Sequence, residues 1–311
     1  MRAIISLGSN SSRLLIVRSG DDGRLEPVEH VSTGTRLSEG VGPRGALAEA
    51  ARRRTLDAVR DYVDRARAAG APIVCIATSV MRRASDGEAF GREIEALTGA
   101  RLHVLDGDEE ATHSFLGATY GDAGGGARIA VVDLGGGSIE CAVGVDGVPG
   151  DRLSVEIGAV RLAERFPDTM GAATPEEARR AANAARTEAR AALAPFAGLV
   201  PVDQVRMVGG TANTTASIAL EDPAFSPVVR AQGALPRRVI DAIAEHLLDL
   251  PLAERRAVPG MVVQRADVLP AGAIILSEAL GRLGAEAARI ERNDLLLGYL
   301  VRKGSAGTPD G

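Results

Sequence analysis

The sequence predicts an α/β protein made of two related halves that share a ligand cleft. Three observations lead to this. Residues 131–140 run from an apolar strand into Asp133, then Leu134-Gly135-Gly136-Gly137-Ser138-Ile139-Glu140. A second copy, Ile4-Ile5-Ser6-Leu7-Gly8-Ser9-Asn10-Ser11, stands near the N-terminus. The strand, turn and helix signals that follow the two copies also agree. Glycines let the main chain turn tightly and present bare N–H groups, a geometry that suits a phosphate oxygen. Acids at either side of such a loop can hold a hard cation such as Mg²⁺.

Each element follows from local pattern. In the first half, 1–7 and 11–18 alternate as strands, Asp21-Asp22-Gly23 turns the chain, and 25–32 forms the third strand. In the second half, 128–134 and 139–145 are strands, Asp146-Gly147 is the turn, and 152–157 is the third strand. Asp-Gly pairs between alternating runs are hairpin signals. Both third strands lead into a glycine and an arginine, Gly34-Thr35-Arg36-Leu37 and Gly158-Ala159-Val160-Arg161-Leu162.

Helical regions come next, 43–69 and 174–197. The second opens on Thr174-Pro175-Glu176-Glu177, a threonine cap with proline at the first position and a glutamate placed to close a capping box. Residues 72–77 read as a strand, and Ser85-Asp86-Gly87-Glu88 opens another helix with the same box. A strand at 101–105 and a helix at 108–120 end the first half. The second continues with a strand at 204–208 that ends in a Gly209-Gly210-Thr211 loop, then helices at 236–250, 267–283 and 293–302. Two copies of β-β-β-α-β-α-β-α place the ligand at the carboxyl ends of the strands. The glycine-rich stretch 121–126 marks the expected boundary: one domain over 1–120, with a helix near 292–303 packing back on it, and a second over 121–303. The Gly/Ser/Pro-bearing tail 304–311 reads as disordered.

Bulk properties narrow the function. At 311 residues the chain can bury two sizeable cores, and 45% hydrophobic and 25% charged residues are ordinary for a globular protein. With 3% aromatics and no Trp, a base-stacking platform for nucleic acid is not expected. A net charge of −5 argues against bulk attraction to nucleic acid or acidic membranes, so an anionic substrate needs a local basic pocket. Arg52-Arg53-Arg54 and Arg179-Arg180 are read first as solvated helix faces with acidic partners. Cys75 and Cys141 lie in apolar runs and read as buried free thiols, which fits a reducing cytoplasm. The chain enters a strand at once with no signal segment, and no apolar run approaches a membrane span. The four histidines show no metal-ligand spacing.

Six stretches in order resemble the exopolyphosphatase / guanosine pentaphosphate phosphohydrolase (Ppx/GppA) family. They are Leu7-Gly8-Ser9-Asn10-Ser11-Ser12-Arg13-Leu14-Leu15, Ala77-Thr78-Ser79-Val80-Met81-Arg82, Gly107-Asp108-Glu109-Glu110-Ala111, the 133–140 loop, Gly209-Gly210-Thr211, and Arg265-Ala266-Asp267-Val268-Leu269-Pro270-Ala271-Gly272. The resemblance implies a duplicated fold of the actin, hexokinase and Hsp70 (ribonuclease H-like) type, in its short two-domain form, and a family that often dimerises. It implies Mg²⁺-dependent hydrolysis of terminal phosphate, with inorganic polyphosphate as the first substrate and guanosine pentaphosphate as the alternative. A non-catalytic polyphosphate or alarmone sensor and a kinase of the same fold are further alternatives. By the same resemblance Glu110 is the base that activates water, and Asp133 and Glu140 hold Mg²⁺ or another divalent cation. Ser9, Asn10, Ser11, Arg82, Gly135, Gly136, Gly137, Ser138, Gly210, Thr211 and Arg265 bind phosphate. The residue-level alternative for Glu110 is a first-turn acid favoured by the helix dipole. Two departures stand out: Ser6 replaces the family's acid in the first loop, and Thr112 replaces an arginine after Ala111.

Overall fold

The computed structural model describes residues 1–41, 45–172 and 174–305, with side chains to residue 303. The expected start of the first long helix at 43 and the tail 306–311 lie outside the described residues. The chain divides into two compact units, Met1–Glu110 with the chain from Tyr299 on, and Ala111–Gly298.

The first unit begins with an antiparallel meander, β1 (Arg2–Leu7), β2 (Ser12–Ser19) and β3 (Leu25–Thr33), followed by the long helix α1 (Glu49–Ala68). α1 buries Ala51, Thr55, Ala58, Val59, Tyr62, Val63 and Ala66, a stripe at helical spacing. The Tyr62 hydroxyl donates to the Ser12 carbonyl at 2.8 Å and shares a hydrogen bond with Thr33 Oγ1, tying α1 to the meander. Next come β4 (Ile73–Ala77), the short α2 (Ser79–Arg83), α3 (Gly87–Thr98), β5 (Leu102–Val104) and α4 (Gly107–Ala118). The sheet order is β3-β2-β1-β4-β5, with β4 and β5 parallel to β1. One apolar core, including Ile5, Leu7, Leu14, Ile16, Val59, Phe90 and Ile94, joins the sheet to α1 and α3.

The capping box expected at Ser85–Glu88 does not form. Asp86 is the cap residue of α3, but its carboxylate accepts from Leu47 N–H at 2.9 Å and pairs with Arg52, so it fastens the start of α1 instead.

The second unit repeats the plan with β6 (Arg128–Leu134), β7 (Ile139–Val145) and β8 (Val148–Val155), then α5 (Ala159–Arg165), α6 (Asp168–Gly171) and α7 (Pro175–Ala192). The Thr174/Glu177 capping box is present. β9 (Gln204–Val208) leads into α8 (Gly209–Glu221) and α9 (Ser226–Gln232), and two residues, Leu235–Pro236, make an edge strand β10. Helices α10 (Arg237–Asp249), α11 (Leu252–Arg255) and α12 (Leu269–Arg282), strand β11 (Ala287–Ile290) and helix α13 (Leu295–Ser305) complete the chain. The order β8-β7-β6-β9-β11 matches that of the first unit, with β10 added outside β11. This is a duplicated α/β plan.

The repeat extends to single hydrogen bonds. Gly8 N–H donates to the Ser11 carbonyl and Gly135 N–H to the Ser138 carbonyl, both at 3.0 Å. The cross-strand registers coincide as well: Leu7 faces Ser12 and Ser6 faces Arg13, as Leu134 faces Ile139 and Asp133 faces Glu140.

The division between units falls within α4, after Glu110, and not in the glycine-rich stretch 121–126. Ala111, Phe115 and Ala118 of α4 pack on Ile129, Val131, Ala142 and Val208, which commits most of that helix to the second sheet. α13 meets α4 backbone to backbone. A Cβ at Gly298 would lie 1.8 Å from the His113 carbonyl oxygen, and one at Gly117 would lie 2.0 Å from that of Asp294. Among the described residues no helix is long and apolar enough to cross a membrane.

A buried charge cluster braces the helices on the other face of the second unit's sheet. Glu278 of α12, 3% exposed, accepts from Arg190 through both carboxylate oxygens and from Arg186, which also reaches Asp241. Burial alone would push the Glu278 carboxyl up, but hydrogen bonds and charge from the two arginines outweigh it and hold it below the usual carboxylate range. A carboxyl depressed in the folded state adds stability that is complete above its unfolded pKa of about 4.3 and is lost as pH falls through the folded value. Melting temperature followed from pH 6 to pH 3 is therefore expected to fall less steeply in Glu278→Gln, from a lower starting point, than in the wild type.

Candidate active site

Within the first unit, the β1–β2 loop carries Ser9, Asn10 and Ser11. The loop is pinned from behind: Ser38 donates through its N–H and its hydroxyl to the Ser9 carbonyl, and Arg36 N–H donates to the Asn10 carbonyl. Ser9 Oγ lies 3.4 Å from Ser79 Oγ at the start of α2. The Asn10 side chain is 6% exposed, yet neither its amide nitrogen nor its amide oxygen has a hydrogen-bond partner among the described residues. Buried amides are nearly always satisfied, so an orphaned one marks a place kept for a ligand or water.

Arg82 and Glu110 belong together. β4 ends at Ala77, and Arg82 lies in the one-turn helix α2 instead of at a bare strand end. Its Nη1 donates to the Leu105 carbonyl and to Glu110 Oε1, the latter at 2.5 Å. The first-turn acids of α4 have separate tasks. Glu109 and Asp106 form a reciprocal cap, each side chain accepting from the other's N–H at 2.8 and 3.0 Å. Glu110 takes no part in that cap and is buried at 4% exposure against Arg82. The cap is thus made by Asp106 and Glu109, while Glu110 faces Arg82.

In the second unit the two expected metal ligands are cross-strand neighbours on one face of the sheet. Ser114 of α4 donates to Asp133 Oδ2 at 2.5 Å, and Ser154 of β8 donates to Glu140 Oε1 at 2.8 Å. Neutral hydroxyl donors orient a carboxylate without cancelling its charge. Among the described residues no group of three or more His, Cys, Asp or Glu side chains gathers to cage an ion. Two adjacent carboxylates nevertheless suit Mg²⁺, which is usually held by one or two carboxylates and completed by substrate oxygens and water.

Around this pair the glycines are fixed by close approach. The N–H groups of Gly136 and Gly137 make no hydrogen bond among the described residues, while the Gly136 carbonyl accepts from Val160 and Arg161 at the start of α5. A Cβ at Gly158 would sit 2.4 Å from the Gly136 carbonyl carbon, so the β8–α5 turn lies directly under the loop. Gly209 has φ +88, and a Cβ there would lie 2.9 Å from Asp133 Oδ1.

Gly209-Gly210-Thr211 is the first turn of α8, not the loop expected from the sequence. The Arg265 guanidinium covers Gly210, where a Cβ would be 2.0 Å from Nη2. Thr211 is 2% exposed and its side chain packs toward Gly272 of α12. The structure thus gathers Asp133, Glu140, the 135–138 loop, Gly210, Thr211 and Arg265 in the second unit, and Ser9, Asn10, Ser11, Arg82 and Glu110 in the first. Ser114 and Ser154 were not anticipated. Their only signal is position, a serine one turn after Glu110 and a serine cross-strand from Glu140.

Comparison with known proteins decides the family. The model of the Ppx/GppA phosphatase family matches residues 15–303. The chain belongs to the Ppx/GppA phosphatase family. Exopolyphosphatase 2 of Mycobacterium tuberculosis is 31% identical over 315 residues, covering 96% of this chain and 97% of that protein. A solved exopolyphosphatase-like protein aligns with a TM-score of 0.81 at 27% identity over 98% of both chains. An exopolyphosphatase from Cytophaga hutchinsonii shares the fold, with a TM-score of 0.83 at 20% identity over 98% of both chains. The Ppx/GppA match starts at residue 15, so the Gly8–Ser11 loop rests on the internal repeat and its hydrogen bonds.

Proposed function

We propose that the protein is an exopolyphosphatase, releasing the terminal phosphoryl group of inorganic polyphosphate by attack of water. The observation that carries this is end-to-end similarity to a relative named for that activity, 31% identical with 96% and 97% coverage. The acidic pair beside a glycine loop with open N–H groups supports it.

In this reading water attacks the terminal phosphorus and passes a proton to Glu110. The bond to the bridging oxygen breaks, and the shortened chain leaves with that oxygen. Arg82 and the Asn10 amide in the first unit, and the Gly136 and Gly137 N–H groups and Arg265 in the second, are the groups that bind phosphate oxygens. Asp133 and Glu140, steadied by Ser114 and Ser154, would hold Mg²⁺, which supplies charge neutralisation at the phosphoryl and leaving oxygens. Because phosphoryl transfer depends mainly on positioning and charge, the fixed backbone around the loop contributes alongside the side chains.

A cytoplasmic location belongs to the same reading. Both cysteines are buried free thiols pushed up to about 12 by burial, so they stay protonated and inert.

The experiment is phosphate release from long-chain polyphosphate, short-chain polyphosphate and guanosine pentaphosphate, side by side, with and without added Mg²⁺. Release from polyphosphate that needs Mg²⁺ supports the proposal. Release from guanosine pentaphosphate alone assigns the other substrate, and binding without release assigns a sensor.

A further inference from the structure

Arg152 carries a positive charge close to the carboxylate pair of the second unit, and no acid neutralises it. Along β8 it alternates with Ser154, the residue that steadies Glu140. Ser154 faces Glu140 and Arg152 faces Ala142, on the same side of the sheet. In the adjoining ladder Asp133 faces Glu140 and Val131 faces Ala142. Arg152 therefore stands one row from the carboxylates, about 7 Å along the strand, on the side away from the 135–138 loop. Its Nη1 donates to Thr112 Oγ1 of α4 at 3.3 Å, and among the described residues it has no ion pair. The acids nearest in sequence are engaged elsewhere, Asp151 with Arg128 and Glu156 with Arg161. A guanidinium has five N–H donors, so one bond to a neutral hydroxyl leaves its charge and most of its donors to a ligand. Arg152 is exposed and Thr112 is buried, so the arginine is tethered at one point and open to solvent.

We propose that Arg152 binds a phosphate of the polyphosphate chain inward from the terminal one, and so selects chains over single phosphates. This rests on the exopolyphosphatase reading and adds to it a residue that senses substrate length. The open N–H groups of Gly136 and Gly137 lie on one side of the carboxylate row and Arg152 on the other. A single phosphate held at the loop leaves Arg152 unused, whereas a chain crossing the row engages it. β8 is the outermost strand of its sheet, so a chain that passes Arg152 leaves over an open edge and its length is not limited there. In a protein of net charge −5, a polyanion gains most from the few cations that carry no acid of their own. Arginine also suits the task, because its planar fork can take two oxygens of one phosphate.

Phosphate release from long-chain polyphosphate is compared for the full-length wild type, Arg152→Gln and Arg152→Lys, with inorganic phosphate added as a competitive inhibitor. Arg152→Gln is expected to raise KM for polyphosphate about tenfold, the effect of roughly one charge-assisted hydrogen bond. A contact made equally before and during reaction leaves kcat unchanged, here within about twofold. The inhibition constant of inorganic phosphate is expected to stay within about twofold, because a single phosphate does not reach Arg152. Arg152→Lys keeps the charge without the fork, and its KM is expected between the other two.

An unchanged KM for polyphosphate in Arg152→Gln overturns the proposal. So does equal weakening of polyphosphate and inorganic phosphate, which would reflect general loss of positive charge, and so does a fall in kcat at constant KM. The underlying reading fails by a different result: the wild type itself releases no phosphate from polyphosphate. Melting curves of all three proteins check that each is folded.

Discussion

Glu110→Gln is expected to lower kcat for phosphate release from polyphosphate by about 10²–10⁴, the usual contribution of a general base, with little change in melting temperature. The substitution is nearly isosteric, and the amide oxygen can still accept from Arg82 Nη1, which now reaches Glu110 Oε1 at 2.5 Å. The start of α4 is unaffected because its cap is made by Asp106 and Glu109. What the proposed mechanism loses is its proton acceptor. A residue that only kept Arg82 in place would change KM and leave kcat largely intact, so the two parameters separate the roles. Equal kcat in the variant and the wild type excludes Glu110 as the base.

The largest effect on stability is expected at Gly298. Its Cα faces the backbone of α4 so closely that a single added methyl would lie 1.8 Å from the His113 carbonyl oxygen and 2.7 Å from the Gly117 nitrogen. Neither atom is the flexible end of a side chain, so relief requires α13 to move away from α4. Overpacking of this kind costs typically 1–3 kcal/mol and more where backbone is involved. A loss of about 3 kcal/mol corresponds to a fall of roughly 6–12 °C for a domain of this size. Differential scanning calorimetry of Gly298→Ala checks this. A change within about 1 °C, well under the 2–4 °C expected per kcal/mol, would mean that the helices separate without cost.

The meanders, the two glycine loops and the duplication were legible because each rests on a local rule: alternation, an Asp-Gly turn, or glycine where the chain folds back. Other elements lacked such a signal. α8 is buried nearly all round, through Thr211, Ala212, Thr214, Thr215, Ala216, Ile218 and Ala219, so it shows no polar face and no helical stripe. Its three threonines are also weak helix formers. β11, Ala287–Ile290, is short, with two alanines and an arginine, and is a strand only because β9 lies beside it.

The site was read less completely for the same reason. Glu110 stood in a row of three acids, and sequence could not say which of them would cap the helix. The hydroxyl donors Ser114 and Ser154 are common residues whose meaning comes from the partner, Asp133 or Glu140, found only after folding.

The register of the first hairpin has an engineering consequence. Ser6 lies across the ladder from Arg13, where the second hairpin sets Asp133 across from Glu140. An acid introduced at position 6 would therefore stand across from Arg13, and opposite charges in that register attract. Ser6→Asp is expected to leave the magnesium requirement of phosphate release unchanged, which a titration of activity against metal concentration would show. Duplicate hairpins that kept the same bends have parted in electrical sign, and one substitution does not bring them back into agreement.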